Sequence, residues 1–239
     1  MSIRRSLIAS ALSLGFALPL AGQSLEDVLA NHHEAIGGVE AWQAVESMRS
    51  EGYLSLMGGM AEGSILVVAK RPGSLRADLV VQGMEVIQAF DGENGWMVNP
   101  FAGSTTPQPA DATTLAAMTE QADMDGPLVG TEEGQSLALL GTETIDDTEA
   151  YAIEVTFKTG QSSVYYLDAS THLLIRVEAD RPVAGKTTTT LSDYREVGGL
   201  MVAFATTSLS AQGDQTVAWD TVELNVELDD TMFAMPDGH

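Results

Sequence analysis

Apolar residues along this chain first recur with the period of a helix. Leu25, Val28, Leu29, His32, Ala35 and Ile36 fall on one face, Ser24 stands where a capping side chain is needed, and Asp27 follows three residues on, where a capping box places an acid. Gly37-Gly38 is a stop signal. Val39, Trp42 and Val45 then predict a second, shorter helix reaching toward Met48.

Beyond it the pattern becomes that of strands. Runs at 50–57, 64–70, 74–81, 85–91 and 95–98 are separated by Gly58-Gly59, Arg71-Pro72-Gly73, Gly83 and Asp91-Gly92-Glu93-Asn94. Strands of this length with Gly or Pro between them predict an antiparallel meander rather than βαβ units. Residues 101–110, with Pro107 and Pro109, read as a loop, and 111–124 as a helix carrying Leu115, Met118 and Ala122 at helical spacing, stopped by Gly126-Pro127. After a polar gap at 131–135, strands resume at 137–144 and 150–158. A hairpin follows: Val164-Tyr165-Tyr166-Leu167 pairs with 172–178 across Asp168-Ala169-Ser170-Thr171, where Asp168 and Thr171 can bond nearby backbone. His172 is expected in the second arm, exposed. Strands at 187–194, 201–209 and 215–227 complete the chain.

The expected fold is mainly β: about eleven strands in one large antiparallel sheet. A sheet that wide curls strongly or closes. An unclosed barrel follows, with the helices as covers for its concave face. Many strands are apolar on both faces, as in Ile65-Leu66-Val67-Val68, so alternation marks two faces without saying which is concave.

Charge narrows the function. The chain has 11 Lys and Arg against 34 Asp and Glu, a formal net charge of −23. That excess argues against nucleic acid and against electrostatic docking on anionic lipid. There are no cysteines, hence no disulfide and no thiolate chemistry. Arg4 and Arg5 precede an apolar run at 7–20, too short to span a bilayer comfortably, and Ala21-Gly22 offers a cleavage site. Residues 1–22 are therefore expected to be a secretory signal cleaved near Gly22, and 23–239 a single domain outside the cytoplasm. Gln23 stands where a lipoprotein signal needs Cys, so no lipid anchor is expected.

Catalytic chemistry is weakly represented. In His32-His33-Glu34 the adjacent imidazoles point about 100° apart on a helix, and Gly37 occupies the place of a second metalloprotease histidine, so no metal site is expected. No Gly-x-Ser-x-Gly elbow and no phosphate-cradling loop occurs. Paired acids such as Asp146-Asp147 and Asp229-Asp230 follow from composition. No catalytic residue and no cofactor is assigned.

Several stretches together resemble a known family. Lys70-Arg71-Pro72-Gly73-Ser74-Leu75-Arg76, Phe90-Asp91-Gly92-Glu93-Asn94-Gly95-Trp96, Tyr166-Leu167-Asp168 with Thr171, Leu173 and Arg176, and Asp193-Tyr194-Arg195 with Gly199-Leu200 resemble the periplasmic outer-membrane lipoprotein-sorting proteins. These are the Lol carriers and their mycobacterial lipid-binding relatives. The opening His33-Glu34-Ala35-Ile36-Gly37-Gly38 and the closing Phe233 and Pro236 are similar to the family's ends. One departure is Ala203, where the family commonly has Pro.

The resemblance implies an unclosed barrel whose apolar concave face, under a helical lid, carries lipid or lipoprotein acyl chains. It also implies inner- and outer-membrane lipoprotein-transfer proteins as partners, a periplasmic location, a monomer and no enzymatic activity. The methionines beyond Met1 suit a pocket that repacks around a chain, and equally serve as ordinary core filler. The residues expected to line the cavity are Leu54, Leu56, Val68, Leu79 and Val81 on early strands, Trp96 and Val98 beyond them, Leu115 and Met118 on the lid, and Phe157. Arg76 either faces the cavity, bonding lid carbonyls or a headgroup, or makes a cross-strand salt bridge on the convex face. The alternative function is a non-catalytic envelope interaction module, its cavity filled by its own side chains and its acidic outer face meeting a protein. A secreted hydrolase has no residue constellation behind it.

Overall fold

The computed structural model describes residues 23–130, 134–181, 185–211 and 213–236. The expected leader and its cleavage point lie outside the described residues. Helix α1 (Leu25–Ala35) starts at Ser24, whose side chain accepts from the Asp27 amide while the Asp27 carboxylate accepts from the Ser24 amide. It ends where Gly37, at φ +101°, turns the chain. A Cβ there would stand 2.3 Å from the carbonyl oxygen of Gly199, so only glycine lets the helix end sit on the sheet at this point. The five-residue α2 (Val39–Gln43) follows.

The strands are β1 (Ser47–Leu56), β2 (Ala61–Lys70), β3 (Ser74–Val81), β4 (Met84–Phe90), β5 (Gly95–Asn99) and β6 (Ser104–Pro109), then β7 (Ser136–Ile145), β8 (Thr148–Thr156), β9 (Ser162–Asp168), β10 (Leu174–Arg181), β11 (Gly185–Val197), β12 (Leu200–Ser210) and β13 (Gly213–Leu224), with α3 (Ala112–Gln121) between the two groups. They form one antiparallel sheet in the order β6-β5-β4-β3-β2-β1-β13-β12-β11-β10-β9-β8-β7. Two meanders thus meet at the β1–β13 pair. The two edges, β6 and β7, are consecutive in sequence and do not pair, so the barrel is unclosed and the connection carrying α3 runs from one edge to the other.

Among the described residues thirteen strands stand where about eleven were expected, and β6 is a clear gain. Its segment was expected to be a loop because of Pro107 and Pro109. At an edge the ladder is needed on one side only, which leaves room for residues that cannot donate. Strand β1 begins at Ser47 and takes in Met48. His172 lies in the β9–β10 turn at φ +58°, half-buried, rather than exposed in a strand.

Ladder partners share a face, so the registers sort the side chains. Leu54 pairs with Gly63 and Val217, Gly63 with Val81, and Gly52 with Ile65 and Trp219. This is the face on which α1 and α3 pack, the concave inner face. Gly52 and Gly63 lie on it where the sheet bends: a Cβ on either would stand 2.1 Å from a backbone oxygen, of Ala218 and Val80 respectively. The register shifts between Glu51 and Gly52, a bulge that adds to the curl.

Candidate functional site

The inner face carries three apolar patches. Under α3, Met118 and Ala122 pack on Leu75 and Phe90, with Leu115 alongside. Asp111 caps this helix by accepting from the Thr114 amide at 2.8 Å, a bond that holds its carboxyl below the usual range. Under α1, Val28 packs with Ile153, Val155, Tyr165, Leu167 and Leu128, and Phe157 lies against the cluster. The central patch is Leu54, Ile65, Val81 and Val217, flanked by Leu56, Ala61, Leu79 and Trp219, all of them strand residues. Val67 packs against both the central patch and the α3 patch, joining them.

Arg71, in the β2–β3 turn, clasps the helical layer. Its guanidinium donates to both carboxylate oxygens of Asp125, at 2.9 and 2.6 Å, to the Val45 carbonyl at 2.7 Å and to the Trp42 carbonyl at 3.1 Å. One side chain thus ties the turn to the end of α2 and to the segment after α3. Arg71→Ala leaves a largely buried carboxylate and two carbonyls without their donor, and is expected to cost about 1–3 kcal/mol. The checks are the shift in urea midpoint and faster protease cleavage within 112–130.

Two histidines anchor α1. His33 Nε2 donates to the Leu128 carbonyl at 2.7 Å, and His32 Nδ1 to the His172 carbonyl at 2.8 Å. A carbonyl partner requires a proton on that nitrogen, which fixes the neutral tautomer. His32 is 5 % exposed, and this burial holds its pKa below the ordinary value, the bond to His172 only partly opposing it. As pH falls through about 6.5 the unfolded chain takes up the proton first. The His32 contribution is therefore complete above that range and declines below it until the lower folded pKa is passed. Melting temperature is expected to drop between pH 7.5 and 5, and to drop less in His32→Asn, which keeps a donor but cannot ionise.

The residues expected to line a cavity fall on both faces. Leu54, Leu56, Leu79 and Val81 come together in the central patch, Leu115 and Met118 in the α3 patch, and Phe157 by α1. Val68, Arg76 and Trp96 share one ladder row with Ala89 on the outer face, and Val98, two residues beyond Trp96, points the same way. Arg76 there bonds the Met232 carbonyl at 3.0 Å and Asp78 at 2.9 Å, the latter an ion pair made within its own strand rather than across strands. Ile65, Val217 and Trp219 belong to the central patch and were not singled out. They are apolar strand residues, and only the cross-strand register shows which of these share a row. Arg71 was read as part of a turn signal, since a clasp across 54 residues leaves no local pattern.

Among the described residues no group of three or more His, Asp or Glu could hold a metal ion, and no helix is long and apolar enough to cross a membrane. The site is thus an apolar surface inside a curved sheet, overlain by helices at two places.

That arrangement defines an unclosed antiparallel β-barrel with helices packed on one face of its sheet. No protein-family model matches the chain, and no curated protein matches its sequence. Among solved structures, a DUF1329 family protein from Desulfovibrio piger is similar over 87 % of this chain and 97 % of its own, with 16 % identity and a TM-score of 0.61. A LolA superfamily protein from Nitrosomonas europaea is 14 % identical over 89 % and 98 %, with a TM-score of 0.60. An outer membrane lipoprotein-sorting protein domain from Vibrio parahaemolyticus is 11 % identical over 86 % and 95 %, with a TM-score of 0.55. At these identities the likeness is one of fold.

Proposed function

We propose that this protein is a periplasmic carrier of lipid or lipoprotein acyl chains, without catalytic activity, that takes its cargo on the inner face beneath α3. The observation that supports this reading is the central apolar patch, which includes no helix residue yet continues through Val67 into the patch that α3 covers. Lifting α3 would merge the two into one trough. At the end of the strands where that trough opens, Met57, Met60 and Met84 are exposed at turns, and Leu209 beside them. They would form a mouth of adaptable apolar side chains. A chain burying ten methylenes gains roughly 8 kcal/mol before the cost of opening the lid. Cleavage of the leader near Gly22 would deliver residues 23–239 to the periplasm as one domain, to exchange cargo with inner- and outer-membrane transfer proteins.

The test is native mass spectrometry of the protein purified from its own envelope. A co-purifying lipid or acylated protein, lost when the half-buried Leu56 and Leu79 become Glu, is the expected result. A clean apoprotein that takes up no added phospholipid or acylated peptide would refute the carrier reading.

A second reading has its own support: Leu54 and Val81, 1 % and 5 % exposed, are already buried by the strands around them, while two open cavities of about 200 and 410 Å³ lie on the outer face. These observations support a non-catalytic envelope module with a self-filled interior, and the same experiment separates the two.

A further inference from the structure

After β13 the chain leaves the sheet and crosses the outer face. Residues 225–236 run over β1, β2, β3 and β5 with no ladder of their own beyond a 3-10 turn at Asp230–Met232. Side-chain donors from four strands hold the carbonyls of this strap. Ser47 Oγ donates to Val226 at 2.5 Å, Lys70 Nζ to Leu228 at 3.1 Å, Arg76 Nη1 to Met232 at 3.0 Å and Trp96 Nε1 to Phe233 at 2.9 Å. Lys70 also pairs with Asp230. The floor is the ladder row Val68, Arg76, Ala89 and Trp96, and Phe233 is the anchor, 1 % exposed.

These contacts have the form of peptide recognition. The donors read main-chain carbonyls, one aromatic side chain is buried, and Lys70, one of the few cations of a strongly acidic protein, pairs with Asp230 beside Asp229. The occupant joins the body through one unusual residue. Asn225 takes φ +56°, and it is held by its amide on the Ser47 carbonyl at 2.7 Å and by the Glu46 amide on its side-chain oxygen at 2.8 Å. Rotation there swings the strap off without unpairing β13.

We infer that this row is a binding groove for an acidic-aromatic segment, and that its second occupant is the same strap of another copy of this chain. Identity of sequence makes every contact available in trans, so exchange needs no new interface, only a hinge. Tethering gives the strap in cis an effective concentration in the millimolar range. Dilute protein is therefore monomeric, and exchange belongs to concentrated protein. The inference goes beyond the carrier reading and holds whether or not the inner face takes up lipid.

The experiment is native mass spectrometry of the mature chain and of Asn225→Pro, whose fixed negative φ cannot make the return turn but leaves groove and anchor intact. At a concentration where the wild type is monomeric, Asn225→Pro is expected to be a dimer, reverting to monomer when Phe233→Ala is added. A folded, monomeric Asn225→Pro overturns the inference. A second measurement does not depend on that variant folding. Fluorescent peptide 225–236 is titrated into full-length wild type at millimolar concentration, with anisotropy as the readout. Saturable binding, weakened at least tenfold in the peptide carrying Phe233→Ala, is expected, and equal or absent binding of both peptides overturns the groove.

Discussion

Phe233→Ala is expected to destabilise the protein by about 3–5 kcal/mol, among the largest losses any single core truncation produces here. The ring is 1 % exposed, and its own carbonyl accepts from the indole of Trp96, which is 2 % exposed. Removing the ring leaves an aromatic-sized hole on a face where the strap lies over β3 and β5. It also loosens the carbonyl that satisfies the buried Trp96 donor, so a packing loss and a hydrogen-bond loss fall together. Urea denaturation followed by tryptophan fluorescence measures it. Because the strap docks as a unit, the loss saturates at the docking energy of residues 225–236, and a further Arg76→Ala on the Phe233→Ala background should add less than it does alone. Full additivity would mean that Arg76 and Phe233 hold independent pieces of structure.

Met118→Ala is expected to cost about 2–5 kcal/mol. Met118 is 0 % exposed, the only residue of α3 that is fully buried, and the helix reaches the sheet chiefly through it, Leu115 and the following Ala122. Its sulfur lies over Gly95, where a Cβ would stand 2.5 Å away. The thioether is flexible and can move aside, so Gly95→Ala should cost much less than Met118→Ala. Leu115→Ala, at a half-buried position, should fall between. Thermal melts rank the three. Hydrogen exchange adds the functional half: if α3 is the lid, Met118→Ala should raise exchange at 112–122 while the β8 and β9 amides stay protected. Uniform loss of protection would mean that α3 is inseparable from the core.

The legible parts of this protein were the local ones. Ser24 and Asp27 set the start of α1 and Gly37-Gly38 its end, as the pattern required. The hairpin turn holds as expected, with Asp168 accepting from the amides of Ser170 and Thr171 at 2.7 and 2.9 Å. Burial alone would raise the Asp168 carboxyl, and these bonds bring it below its usual value. Turns of Gly and Pro at ten-residue spacing were enough for a wide meander, and width was enough for curvature.

The faces were not legible, so three of the ten candidate lining residues fall on the outer one. Leu66 and Val68 look as apolar as Ile65 and Val67 because a segment more than 150 residues later lies on the outer face near Val68, so burial on both sides erases the period of two. That is why Val68, Trp96 and Val98 were grouped with Leu54 and Val81. The prolines of β6 looked like a loop because the sequence does not say which strand is an edge.

The sequence by itself thus determined the helix ends, the turns, the antiparallel meander and its necessary curl, since each follows from interactions within a few residues. The tertiary structure alone decided which face is inside, that β1 pairs with β13, that Arg71 gathers three segments, and that the C-terminal strap closes the outer face. Those outcomes depend on pairings across 54 to 179 residues, whose loop-closure cost is met by cooperative packing and leaves no periodic trace in the chain.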